Sequence, residues 1–508
     1  MSMPTAAQIE AAVALPTRRV RVYLTGAWVD ITSDIVDVEG DYAITGGSDD
    51  GVGFGVARSP NVGVTYARER IGTAWKDTPI EISFGFNGTN PQFFIGRITE
   101  VEEDRRGGRW TAAGYQELIA ATPDIRTKLL RRRPVFTATT ASSNEDPDNA
   151  GSETGIGNII LWRSGGRPYE QSATYPAALF YYSCQTAILA PEWTWLNGGD
   201  ALDALNEICK AAGGVVYQSE DGVIRYQEPM SYGVGATSVH YTDSAGAKDA
   251  ATRVASGLAQ FGDIKRAGKL RQRVVDQIRC AFVTRRLQGV QRIYQDTTPR
   301  VIEASSAITI TLDLQRPQYT LQRVVATGYT MRSTAATTTS DVTVTIGATY
   351  AQQVTITLTN TLSEPVGISE LSAYGQPLVA VEEGTATYGT PGSVPRSYAV
   401  PESVYIQSKG YADRLCRLHY DWYATPRPPT TLSGCGFDPR RTIGEIVLLT
   451  DSVLGISAER HRVMSKRVNQ RGTEMELIVV SVVGLPVSTD FFVNGTTYAD
   501  GDVRQLIY

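Results

Sequence analysis

From Gly198 to Pro229 the chain reads GGDALDALNEICKAAGGVVYQSEDGVIRYQEP, which predicts a helix followed by a hairpin. Asp200 has the short acceptor side chain that caps a helix N-terminus. Leu202, Leu205, Ile208, Cys209 and Ala212 recur at helical spacing, so one face of the helix is apolar and packs on a core. Gly213 supplies the left-handed stop. VVYQ and VIRYQ then flank an Asp221-Gly222 turn of the kind that closes a tight hairpin. Helix plus hairpin makes this unit α+β.

Strands dominate on the N-terminal side. RVRVYL (Arg19–Leu24) alternates apolar and polar residues, and VEGDYAITGG, IEISFGFNG and FFIGRITEVEED follow, separated by Gly, Asn and Asp clusters. A polar tip at Asp104 to Gly108 joins the last of these to its return strand. The run TAAGYQELIAATPDIRTKLL (Thr111–Leu130) reads as helical, and Arg131, Arg132 and Arg133 close the unit before Pro134. Three adjacent arginines resemble an anion patch, yet at such a boundary a solvated or interdomain charge cluster is the better reading.

On the C-terminal side the composition shifts to Thr, Val, Ser and Ala. ITITLDL, VTVTIG and QVTITLTN alternate strictly, the pattern of half-buried strands, and predict a separate sandwich. The last unit opens with PESVYIQSKGYADRLCRLHYDWYATP, a long helix with Ala412, Leu415, Cys416 and His419 on one face and Pro426 as its stop. IGEIVLLTD, HRVMSKRVNQ and EMELIVVSVVG then read as a small barrel.

At 508 residues the chain exceeds what one core serves. It divides into an N-terminal arm (1–17), a first β-barrel-like unit (18–135), an α+β unit with return strands (136–300), a Thr-rich β-sandwich (301–395), a second β-barrel-like unit with its leading helix (396–484) and a C-terminal extension (485–508). The expected fold class is therefore multidomain and mainly β with α+β: two small barrel-like units, an α+β unit and a sandwich.

Hydrophobic residues at 42% and charged residues at 20% suit globular units throughout. The net charge of −5 offers no basic field for phosphates or anionic lipids. Five cysteines at irregular spacing, without CxxC, read as buried reduced thiols. The N-terminus lacks a basic n-region and its apolar run is broken by Glu10, so it does not read as a signal peptide. No run of about 18 apolar residues spans a bilayer, and synthesis in a cytoplasm is expected.

Chemistry is sparsely signalled. His240, His419 and His461 lie far apart without HExxH, which argues against a zinc enzyme. Cys416 and His419 resemble a nucleophilic pair, but residues three apart on one helix face more often share a core. The glycine-rich Gly46 to Gly55 lacks the lysine of a phosphate loop and is read as an inter-strand loop. Glu145, Asp146 and Asp148 lack the calcium-loop pattern. Glu100, Glu102, Glu103 and Asp104 form the densest acidic group, yet alternate residues on a hairpin face opposite ways. Trp193, Trp195, Tyr420, Trp422 and Tyr423 are the aromatics that would stack sugars or bases, with core or interface anchoring the better reading. No catalytic, cofactor-binding or metal-binding residue is assigned, no cofactor is expected, and the chain is read as not an enzyme.

Three passages together resemble the bacteriophage tail hub family, including actinophage-type minor tail proteins and the central baseplate hub of contractile tails. They are the helix and hairpin 198–229, the strand pattern QQVTITLTNTLSEPVGISELSAYGQPL (Gln352–Leu378), and the helix from Tyr405 to Tyr423 joined to IGEIVLL and RVMSKRV, where Glu445 stands at a position often Asp in the family. The resemblance spans about Arg18 to Val483. It implies a homotrimer whose two barrel-like domains per subunit mimic a sixfold ring at the distal tip of the virion tail. It implies docking to a distal tail protein and to tail fibre or tip proteins. The ring would bound a lumen through which the tape measure protein and DNA pass without specific binding. The Thr-rich sandwich is longer than a minimal hub needs. A receptor-binding adhesin and a tail-associated glycan hydrolase, which needs two carboxylates in one cleft, are the alternatives.

Overall fold

The computed structural model describes residues 16–43, 55–57, 59–67, 75–86, 90–104, 107–140, 154–174, 178–187, 189–228, 237–243, 261–263, 266–269, 274–331, 335–338, 341–392, 396–436, 438, 441–468 and 474–483. Among these residues strands dominate, with four α-helices at Gln116–Ala120, Ile156–Arg163, Ala201–Ala212 and Lys409–Tyr423.

Strands from both ends of the chain share one sheet of 14 strands. Pro16–Leu24 shows why they form: Val20 and Val22 are fully buried while Arg19 is exposed, the period of two that one buried face imposes. The sheet runs from Ala27–Asp30 through Pro16–Leu24, Pro79–Phe86, Gln92–Asp104, Gly107–Ala113 and Asn61–Tyr66 to Ile35–Ala43. There it crosses to the other end of the chain, because Ile35–Ala43 pairs antiparallel with Ile456–Val468, Val468 lying opposite Gly40. Ile446–Asp451 and Glu474–Ser481 flank Ile456–Val468 in turn.

The expected barrels do not close among the described residues. An edge strand must satisfy its free N–H and C=O groups. Those of Ile35–Ala43 meet a strand of the last unit rather than Ala27–Asp30 of their own, so two predicted barrels become one open sheet.

The helix predicted from Asp200 forms at Ala201–Ala212. The Asp200 carboxylate accepts from the Leu202 and Asp203 backbone N–H groups at 2.7 and 3.2 Å, and Gly213 ends the helix at φ 65°. Val215–Gln218 and Val223–Gln227 pair antiparallel behind it, extended by parallel Phe180–Cys184 and Gly166–Pro168 on one side and Gly55–Val56 on the other. Ile156–Arg163 is a helix without a sequence signal. Its first six residues are all buried, so no polar face marks its period. Gly157 is required there, since a Cβ would lie 2.2 Å from Phe136 Cε1.

Two other helices differ in extent from expectation. Between Thr111 and Leu130 only Gln116–Ala120 is helical, because Thr111–Ala113 are committed to a strand facing Asn61–Gly63 and Pro123 follows. The long helix begins at Lys409, where the Ser408 hydroxyl accepts from Tyr411 N–H at 3.2 Å, rather than at Pro401. The Arg427 guanidinium closes its far end, donating to the carbonyls of Asp421 and Trp422 at 2.7 and 3.1 Å.

The Thr-rich region forms two facing sheets. Ala307–Asp313, Gln353–Asn360 and Val342–Thr349 make one. The other is built on Val366–Gly389, a strand of 24 residues that pairs with Gln318–Thr330, Gln291–Asp296, Arg300–Ile302 and Gln277–Leu287. Ile302, Leu312, Val354, Ile356, Leu358 and Val366 fill the core between them, while Thr309, Thr311, Thr343 and Thr345 face solvent.

Candidate functional site

The hairpin turn at Ser219–Gly222 inserts a carboxylate into the junction between the α+β unit and the large sheet. Glu220 is 6% exposed. Its Oε1 accepts from Ile443 N–H at 3.1 Å and lies 3.7 Å from Lys466 Nζ. Lys466 projects from Ile456–Val468, is 2% exposed, donates to the Arg441 carbonyl at 2.5 Å and sits 5.4 Å from the centre of the Phe93 ring. Arg441, also buried, pairs with Asp438 at 3.2 Å and Glu445 at 3.0 Å. Burial pushes the Glu220 carboxyl up and Lys466 pulls it back.

Neighbouring amides complete the lock. Gln218 accepts from Tyr115 N–H at 2.6 Å and donates to the Ile95 carbonyl at 2.7 Å. Gln92 donates to the Glu220 carbonyl at 3.4 Å, and buried Arg462 donates to Gln227. Residues from the first unit, the hairpin and the last unit thus meet in one polar core. Glu220, Lys466 and Arg441 each have an opposite charge or a backbone partner in it, and Arg462 has the Gln227 side-chain amide. Such an arrangement fixes the units to one another.

A second joint ties the sandwich to the body. Trp193, Trp195, Leu129, Ala351 and Leu378 form a small apolar cluster of their own. Trp195 Nε1 donates to Gln352 at 2.9 Å. Gln407 accepts from Trp193 N–H at 3.0 Å and donates to its carbonyl at 2.7 Å. This clasp holds the segment before Lys409 out of the helix.

The residues weighed in the sequence fall as follows. Cys416 and His419 are both buried on the long helix; Cys416 Sγ contacts the Ala386 carbonyl at 3.6 Å, and His419 lies between Tyr398 and Tyr423 at ring separations of 5.6 and 6.2 Å. Burial holds the His419 imidazole down at about 3, so it stays neutral inside the core. Arg131 and Arg132 converge on one carboxylate, Glu192, at 2.8 and 2.7 Å, and Arg131 also covers the Trp193 ring. Two of the three arginines of the run are thus paired with a carboxylate. His240 bonds Thr450 at 2.7 Å and His461 contacts the Glu459 carbonyl at 3.2 Å, so the three histidines stay apart. Among the described residues no three His, Cys, Asp or Glu side chains gather as metal ligands.

Glu100 and Glu102 are exposed, while the side chains of Glu103 and Asp104 lie outside the described residues. So do positions 46–54 of the glycine-rich run, and Glu145, Asp146 and Asp148. Trp422 and Tyr423 are core residues, and Tyr420 packs edge-on against Tyr388 at 5.1 Å. All five cysteines are buried and free. No described helix is long and apolar enough to cross a membrane.

Glu220 and Lys466 were not singled out by sequence. Glu220 reads as a polar turn residue. Lys466 did carry a signal, since it falls in phase with buried Met464 and Val468 on an alternating strand.

No protein-family model matches the chain, and no curated protein matches it. The solved structures that align with most of the chain include three tail proteins. The 43 kDa tail protein of prophage MuSo2 from Shewanella oneidensis is 10% identical, with 91% of this chain and 98% of that chain covered and a TM-score of 0.45. A tail protein from Neisseria meningitidis MC58 is 8% identical over 93% and 99%, with a TM-score of 0.46. Prophage tail protein gp18 from Listeria monocytogenes EGD-e is 9% identical over 92% and 94%, with a TM-score of 0.38.

Proposed function

We infer that the chain is a structural subunit of the distal end of a phage or phage-like tail, where three copies form a ring that adapts a sixfold tube to a threefold tip. The observation that supports this reading is the single sheet into which Ile35–Ala43 and Ile456–Val468 join the strand units of the two chain ends. Two strand units per subunit, side by side and fixed by the Glu220–Lys466 junction, give six around a closed threefold ring. The likeness of residues 198–229, 352–378 and 405–468 to tail hub proteins points the same way. On this reading the role is mechanical and not enzymatic. The ring bounds a channel for the tape measure protein and DNA, and docks to a distal tail protein on one side and fibre or tip proteins on the other.

Light scattering on a size-exclusion column, followed by negative-stain class averages, tests this directly. A three-chain particle with a central hole is expected. A protein that stays monomeric both alone and with its tail-tube neighbour, giving no ring in either case, would refute the reading.

The Thr-rich module favours a second role alongside the first. It has a core separate from that of the body and an outer face carrying Thr309, Thr311, Thr343 and Thr345, which suits a receptor-binding adhesin. Removing the module would then abolish adsorption to the host while leaving ring formation intact.

A further inference from the structure

A cleft of about 320 Å³ opens where helix Ala201–Ala212, strand Gln277–Leu287 and residues 402–404 meet. We propose that it receives the side chain of an arginine from a neighbouring protein. Ala281, Val283 and Val404 form its apolar wall, suited to a methylene stem. Glu207 and Glu402 supply the charge. The Glu207 Oε1 atom accepts from the Ser403 hydroxyl at 2.9 Å, and Ser403 Oγ in turn accepts from Tyr405 N–H at 3.2 Å. This chain of bonds fixes the carboxylate's direction before any ligand arrives. Glu402 is exposed and has no hydrogen bond or ion pair among the described residues.

Arg285 is the one cation of the lining among the described residues, and it does not neutralise either carboxylate. Its guanidinium stands 5.4 Å over the Trp195 ring, its Nε is buried without an acceptor, and the carboxylate that offsets its charge is Glu383, outside the cleft. No ion pair joins it to Glu207 or Glu402. The cleft therefore keeps a net negative lining beside an apolar wall. A guanidinium with five donors can be shared between two carboxylates, which the point charge of a lysine serves less well. The volume lies at the lower end of ligand pockets and admits one side chain rather than a folded element. The inference stands apart from the ring reading, because it concerns a partner's side chain whatever assembly the chain joins.

The test is calorimetric titration of the full-length protein with N-acetyl-arginine N-methylamide, and with the citrulline analogue, which keeps the shape and loses the charge. Saturable millimolar binding of the arginine probe is expected, with citrulline at least about tenfold weaker, the factor that one lost charge-assisted contact supplies. Glu207→Gln and Glu402→Gln should each weaken the arginine probe about three- to tenfold. Glu402 is exposed, so its variant reads the charge effect even if Glu207→Gln fails to fold. Absence of saturable binding, equal binding of the two probes, or unchanged binding to a folded Glu402→Gln variant would each overturn the proposal.

Discussion

His419 should make the protein acid-sensitive in a way one substitution removes. The imidazole is 1% exposed, on a helix whose face packs against Tyr398 and Tyr423. Burial lowers its pKa from 6.5 to about 3. The unfolded chain therefore binds a proton across that window and the folded chain does not, so stability rises with pH between about 3 and 6.5 and falls as pH drops through it. At pH 4.5 the unfolded histidine is two units below its own pKa, while the folded one is still mostly neutral. At 1.36 kcal/mol per unit, acidification from pH 7 to pH 4.5 costs about 2.5 kcal/mol from this group alone. Phenylalanine fits the same aromatic surroundings and cannot be protonated. Urea unfolding of wild type and His419→Phe at both pH values isolates the effect, since every other titrating group is common to the two proteins. The difference between their pH-induced losses should be about 2.5 kcal/mol. Parallel losses, within about 0.5 kcal/mol, would show that His419 is protonated in the fold and that the burial argument fails.

Two further outcomes follow from packing and charge. Lys466→Met leaves Glu220 buried without its cation and should cost about 3–5 kcal/mol, much of which Glu220→Gln in the same chain restores; a double-mutant cycle by urea unfolding measures this, and simple additivity would mean that the pair is not coupled. Gly157→Ala should lower the melting temperature even though alanine favours a helix by about 1 kcal/mol, because its Cβ would press on Phe136, itself stacked at 3.9 Å on Tyr226. A raised melting temperature would contradict the close approach seen there.

Local signals carried much of the fold. Asp200, Gly213 and the alternating threonines act within a few residues, so the capped helix, the hairpin and the strands of the sandwich could be read directly. The pairing of Ile35–Ala43 with Ile456–Val468 could not, because nothing in either strand says which edge it will meet at the opposite end of the chain. Ile156–Arg163 was hidden because its first six residues, the polar Asn158 among them, are all buried, and Gln407 holds residues before Lys409 out of the helix that their sequence favours. At the candidate site, Lys466 was legible as a charge in a buried phase. Its partner Glu220 was not, since a carboxylate in a Ser-Glu-Asp-Gly turn looks like any solvated turn.

The ladder between Gln277–Leu287 and Val366–Gly389 ends with Leu287 opposite Leu378, and Gln288 N–H donates to the Pro377 carbonyl at 3.0 Å. The chain thus departs for the outer sandwich and returns from it on adjacent rungs, about one strand spacing apart. Closing a loop costs only logarithmically more as it lengthens. The excursion can grow, shrink or be exchanged for another unit whose ends meet at the same spacing, while the rungs beneath it keep their register. Variation in the sandwich is in that way separated from the register of the sheet it leaves.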